Sequence, residues 1–249
     1  MIKKILSLGI LLSLILTAGC GINPQQRDEA KAHYMLGLSY LRENRLSQAM
    51  NEFRMAEEIN PKDPEIQAAL GQVLHIKEAY PEAEQRYLQA VKLSNEAPRF
   101  LNNLGALYLD MKRWDDAIRY FKATSSRLDF DNPEVPLSGI GYAYSQKGDH
   151  LQAVTFFKEA IATNMRYAPA YLGLGQAYYA LGKTAEAVAQ YREALAIAPN
   201  YAQAHYQMGL GQVKLGQTEA AIASFNEVVR LIPDTELGKS SKEHLKVLE

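Results

Sequence analysis

The chain has 249 residues, with 27 Lys and Arg against 28 Asp and Glu and a formal net charge of −1. It lacks the basic excess or stripe expected of a protein that grips phosphates, which argues against nucleic acid as a partner. Cys20 is the single cysteine, so no internal disulfide can form and folding rests on packing.

The first element is an export signal. Lys3 and Lys4 precede an apolar run from Ile5 to Leu16, which ends in Leu16-Thr17-Ala18-Gly19-Cys20. A charged start, an apolar middle and a small-residue processing site form a secretion signal. The run is too short for a permanent membrane span. The closing string resembles the lipobox of bacterial lipoproteins. That resemblance implies that residues 1–19 are a signal peptide and that Cys20, acylated with chains such as palmitate, begins the mature protein. Gly21 follows the cysteine where an Asp would redirect sorting, which implies a periplasm-facing anchor in the outer membrane of a Gram-negative envelope. Each buried CH₂ contributes about 0.8 kcal/mol, so several chains hold a protein to a bilayer without any spanning helix. Loss of the signal takes Lys+Arg from 27 to 25 against 28 acidic residues, a net charge of −3. Residues 20–29, with Pro24 among polar neighbours, read as an extended lipidated tether reaching at most about 25–30 Å.

The rest of the chain is periodic. Gly37, Gly71, Gly105, Gly141, Gly175 and Gly209 recur at intervals of 34, 34, 36, 34 and 34 residues. Three residues after each glycine stands Tyr40, Leu74, Tyr108, Tyr144, Tyr178 or Gln212. Twelve after it is always Ala: Ala49, Ala83, Ala117, Ala153, Ala187 and Ala221. Sixteen after it is an aromatic: Phe53, Tyr87, Phe121, Phe157, Tyr191 and Phe225. Nineteen after it is a residue such as Ala56, Ala90, Thr124, Ala160, Ala194 or Val228. A fixed period of this length marks a solenoid. Glycine and alanine let paired helices approach, the aromatic fills the gap, and Pro61, Pro199 and Pro233 stop the second helix of three units.

This pattern resembles the tetratricopeptide (TPR) repeat. It implies an all-α fold: a right-handed superhelical solenoid of six helix-turn-helix repeats at 30–63, 64–97, 98–131, 134–167, 168–201 and 202–235. Asn132 and Pro133 lengthen the third connection. Residues 236–249 read as a capping helix, polar on its outside as an array end requires.

No catalytic constellation is found. His33, His75, His150, His205 and His244 show no HExxH or i, i+4 metal spacing. His33 and His205 share one repeat position, four before the glycine, and read as structural. There is no GxSxG elbow. Gly139-Ile140-Gly141 and Gly173-Leu174-Gly175 look like pieces of a dinucleotide loop but fall inside helices on the repeat phase. Gly182-Lys183-Thr184 lacks the upstream glycine of a phosphate loop, Tyr178 holding that place, and reads as an inter-helix turn. No metal, cofactor or small-molecule substrate is implied, and the chain reads as a non-enzyme.

What remains is a surface. In TPR arrays the first helix of each unit lines a concave groove. The corresponding positions here include Tyr34, Leu38 and Leu41 in the first unit, Gln72 and His75 in the second, and Asn102, Asn103, Ala106 and Leu109 in the third. Ser138 and Tyr142 follow, then Leu172, Gln176 and Tyr179, then Tyr206, Leu210 and Val213. Apolar, aromatic and amide side chains suit an extended peptide or amphipathic helix. Some of these residues are equally able to pack between repeats. The TPR subtype that clamps a C-terminal carboxylate wants cations where Val135 and Gly139 stand, so only Asn103 matches it.

A signal with lipobox, a short tether and six repeats resemble the type IV pilus biogenesis and stability lipoproteins, the PilF/PilW family. The closest local similarity is Leu101-Asn102-Asn103-Leu104-Gly105 with Lys112-Arg113-Trp114-Asp115-Asp116-Ala117, and the opening Arg27-Asp28-Glu29-Ala30 is also similar. The resemblance implies a pilotin-like role, in which the protein helps the pilus secretin reach the outer membrane and assemble its ring. The alternative is a periplasmic TPR adaptor that recruits cell-wall or other envelope enzymes.

Overall fold

The computed structural model describes residues 22–248, so Cys20 and the signal segment lie outside the described residues. Thirteen α-helices follow one another among the described residues, with no strand. They form six hairpins: α1 (Pro24–Arg42) with α2 (Leu46–Ile59), α3 (Pro64–Ile76) with α4 (Tyr80–Leu93), α5 (Pro98–Asp110) with α6 (Trp114–Ser125), α7 (Glu134–Gln146) with α8 (His150–Thr163), α9 (Ala168–Ala180) with α10 (Thr184–Ile197), and α11 (Ala202–Lys214) with α12 (Thr218–Leu231). A last helix, α13 (Glu236–Leu248), closes the stack. Each helix packs on its chain neighbours, and the apolar clusters run from one repeat into the next as in a solenoid.

The start of α1 corrects the expected tether. Residues 24–29 are helical, because Pro24 sits at the first turn with its φ already suited to a helix and Asn23 caps it. The Asn23 carboxamide oxygen accepts from the Gln26 amide at 2.8 Å, and the Gln26 side chain accepts from the Asn23 amide at 3.1 Å, a reciprocal capping box.

The period is visible in the turns. The residue seven after each repeat glycine adopts a left-handed conformation: Asn44, Glu78, Lys112, Gly148, Gly182 and Gly216, with φ between 57° and 82°. The amide one residue later donates to the carbonyl of the position-three residue, as Arg45 does to Tyr40 at 2.8 Å and Lys183 to Tyr178 at 2.9 Å. This 6→1 bond ends the first helix and reverses the chain. Gly182 is therefore a turn residue, with Thr184 opening α10. The third connection spans residues 126–133, since α6 stops at Ser125 and α7 opens only at Glu134.

The aromatic of each second helix is the keystone. Phe53, Tyr191 and Phe225 are fully buried and Tyr87, Phe121 and Phe157 nearly so. Burying such a side chain contributes about 1.5–3 kcal/mol. Phe121 has Gly105 of its own repeat beside it and Gly139 of the next, and Phe157 is bracketed in the same way by Gly141 and Gly173. Gly139-Ile140-Gly141 and Gly173-Leu174-Gly175 thus each face two different aromatics. A polar joint reinforces the first junction. Fully buried Gln67 donates to the Glu57 carboxylate at 2.9 Å and the Pro61 carbonyl at 3.2 Å, and accepts from Arg86 at 2.8 Å.

Candidate protein-binding groove

The odd-numbered helices α1 to α11 are the first helices of the repeats and carry every groove residue expected from the sequence. Leu38 and Leu41 of α1 and Gln72 of α3 line one cavity of about 420 Å³, together with Met35, Arg42 and Ile76. Tyr34 lines an adjoining cavity of about 310 Å³ between α1 and the α2–α3 connection, shared with Met35, Lys31, Asp63 and Glu65. Its ring leans on Phe53 at 5.8 Å between centroids. Burial, with Glu65 and Asp63 nearby, pushes its phenol above the ordinary range, so it stands as a neutral hydrogen-bond donor.

The middle of the groove is more polar. Asn102, Asn103 and Leu109 of α5 are half-buried. The Asn102 carboxamide oxygen is buried and has no hydrogen-bond partner. His75 of α3 reaches the Asp110 carboxylate at 2.7 Å, joining second and third repeats across the groove side. Tyr142 of α7 is 44% exposed and meets the edge of Trp114 at 6.4 Å. Towards the other end, Tyr179 lies under the Lys214 ammonium at 4.7 Å. Ser138 is buried, and Leu172 is buried in the cluster shared by the fifth and sixth repeats.

Tyr206 is the correction. Rather than lining free groove, it packs against Phe225 and stands beside His244 of α13, its hydroxyl 3.4 Å from the imidazole. Leu210 joins the same cluster with Leu245 and Leu248. The closing helix therefore packs on Tyr206 and Leu210, while Val213 stays exposed. Met35, Arg42 and Ile76 were not anticipated. Met35, two before the first glycine, is exposed, whereas Ala69, Asn103, Gly139, Gly173 and Gln207 at the same position are buried or half-buried.

The histidines serve packing. His33 bonds Glu52 at 2.7 Å and His205 bonds the Pro199 carbonyl at 2.8 Å. No group of three or more metal-ligating side chains exists among the described residues, and no described helix is long and apolar enough to cross a membrane.

Tetratricopeptide-repeat family models match residues 30–63 and 202–235, 71–112 and 175–216, 99–126, and 144–190, which together cover most of the chain. The type IV pilus assembly protein PilF of Pseudomonas aeruginosa is 28% identical over 139 residues, 55% of each chain. Anaphase-promoting complex subunit 6 of Arabidopsis thaliana is 23% identical over 140 residues, 55% of this chain and 26% of that one. The chain thus spans about half or less of the length of these curated relatives. Among solved structures, Pseudomonas aeruginosa PilF superposes with a TM-score of 0.74 at 20% identity, over 88% of this chain and 99% of that one. PilW, a widely conserved type IV pilus biogenesis factor, gives 0.76 at 17%, over 85% and 97%. Cut9 in the APC/C assembly gives 0.75 at 20%, over 88% and 43%. Solenoid shape alone therefore does not separate pilus factors from a protein of the APC/C. The six hairpins and the repeat-model matches together place this chain in the tetratricopeptide-repeat family.

Proposed function

We propose that this chain is a non-enzymatic scaffold of type IV pilus biogenesis, held to the periplasmic face of the outer membrane by acyl chains on Cys20, which assists secretin localisation and multimerisation as a pilotin does. The observation that carries the reading is the sequence match to Pseudomonas aeruginosa PilF, the curated pilus protein whose solved structure is also matched over 99% of its length. The open apolar cavity under Leu38 and Leu41 supports it by offering a seat for a peptide or helix of the partner.

The test is a deletion strain complemented with wild-type protein, Cys20→Ser, or Leu38→Glu/Leu41→Glu. Detergent-resistant secretin multimers are immunoblotted in separated membranes. Multimers should vanish on deletion, return with wild type, mislocalise with Cys20→Ser and stay low with the groove variant. Unchanged multimers in the deletion strain overturn the pilotin role. Recovery of cell-wall enzymes by the purified protein in place of secretin would favour the adaptor alternative.

A further inference from the structure

The first repeat leaves open a face that every later repeat covers. In α3, Ile66, Leu70 and Val73 are buried against α2. In α9, Ala170, Leu174 and Ala177 occupy the same register positions and are buried too. The register places Ala32, Leu36 and Ser39 of α1 at those positions. Ala32 is exposed, Leu36 is 43% exposed, and neighbouring Met35 is 51% exposed. The stacking interface of the solenoid thus continues onto a surface that no described residue covers. The opposite end is finished differently: the outer side of α13 carries Glu236, Lys239, Lys242, Glu243 and Lys246, all exposed.

The path of the chain says what does not cover this face. The other first helices begin seven residues before their glycine, as at Pro64, Pro98 and Ala168. That register would start α1 at Ala30, but α1 runs on from Pro24. Residues 26–29 are helical where residues 60–63 form the α2–α3 connection. Six more helical residues carry the chain about 9 Å past the place where it would have to turn back. The turn that lays a second helix on the next first helix is therefore absent among the described residues before Leu36. A second copy joined end to end would set the charged side of α13 against apolar side chains, which burial disfavours.

We infer that the exposed end of α1 is a docking face for one amphipathic helix of another protein, stacked as a repeat's second helix stacks on the next first helix. The inter-repeat interfaces specify its chemistry. Each covering helix presents Ala, then an aromatic four residues on, then in most units a small residue three further, as Ala49, Phe53 and Ala56 do in α2. An aromatic on the incoming helix would rest on Met35, whose flexible thioether adapts to rings. This site is distinct from the groove: Met35 borders both, whereas Ala32 and Leu36 do not line the groove cavity.

The probe is a fluorescein-labelled peptide of the α2 sequence, Leu46–Ile59, titrated with the full chain and followed by anisotropy. Saturable binding is expected, at least tenfold weaker for the Phe53→Ala peptide and for the Ala32→Glu/Leu36→Glu protein, with little change for Leu38→Glu/Leu41→Glu. Circular dichroism melts check that the variants are folded. Absence of saturable binding, or equal binding to Ala32→Glu/Leu36→Glu, overturns the proposal. So does loss confined to the groove variant. A dimer in light scattering that dissociates in Ala32→Glu/Leu36→Glu would give the face to a second copy, and a photo-crosslinker at position 36 that captures residues 1–21 would give it to the chain itself. Either result also overturns the proposal. Secretin assembly can fail or succeed independently of all these readings.

Discussion

Gly139 lies so close to Phe121 of the preceding repeat that a methyl carbon on it would stand 2.5 Å from the ring. Glycine at this helical position is a packing requirement, since helix propensity alone favours alanine by about 1 kcal/mol.

Gly139→Ala therefore sets two effects against each other. Overpacking against a nearly buried ring costs about 1–3 kcal/mol, and the propensity gain offsets only part of it. The variant should unfold at lower urea, with a net loss of about 1–2 kcal/mol. A midpoint equal to or above wild type would show that the ring yields freely.

Glu78 and Lys112 hold left-handed backbone at turn positions where Gly148, Gly182 and Gly216 serve the last three repeats. A side chain there costs roughly 1 kcal/mol relative to glycine. Glu78→Gly and Lys112→Gly should each stabilise the fold by about 0.5–1 kcal/mol in chemical denaturation, and the double variant should show the sum because the turns are in different repeats.

Tyr191 is 0% exposed and its hydroxyl has no partner, while four other repeats place Phe at the same position. An unsatisfied buried hydroxyl costs about 1–3 kcal/mol. Tyr191→Phe should raise Tm, by about 2–4 °C per kcal/mol in a chain of this size. Burial also pushes this phenol, and that of Tyr87, above the ordinary value near 10. A folded-state pKa above the unfolded one means the native chain holds the proton more tightly. That contribution is complete below pH about 10 and declines as pH climbs past it. Alkaline melts should show Tyr191→Phe losing less stability than wild type between about pH 10 and 11.5.

Asn102 tests the groove from the inside. Its oxygen is buried and unpartnered, which weakens the free protein, while the side chain as a whole is half-buried on the first helix of its repeat. Asn102→Leu should stabilise the free chain by about 1 kcal/mol and reduce capture of the natural partner in pull-downs from solubilised envelope. Stabilisation with undiminished capture would remove Asn102 from the binding surface.

The repeat phase was legible because the same contact is made again and again: glycine, alanine and aromatic recur wherever a ring must enter a tight helix pair. Leu38 and Leu41 were legible for the same reason. Tyr206 was not, because its surroundings come from α13, which lies outside the 34-residue period and meets it only in three dimensions. The early start of α1 was written locally in Asn23-Pro24 and Gln26, a cap-and-proline signal that polar composition obscured. Met35 escaped because its exposure depends on a covering helix that no described residue supplies.

The rings of Phe121 and Phe157 belong to two units at once, so the block that coheres is shifted by half a module from the block that recurs in the text of the chain. Excising residues 98–131 would remove Phe121 and bring Tyr87 against Gly139, a glycine shaped for another ring. Shortening or grafting this array thus keeps native joints only where both flanking glycines travel with their shared aromatic, and a cut placed by sequence period alone seats a ring on a glycine that packs against a different one.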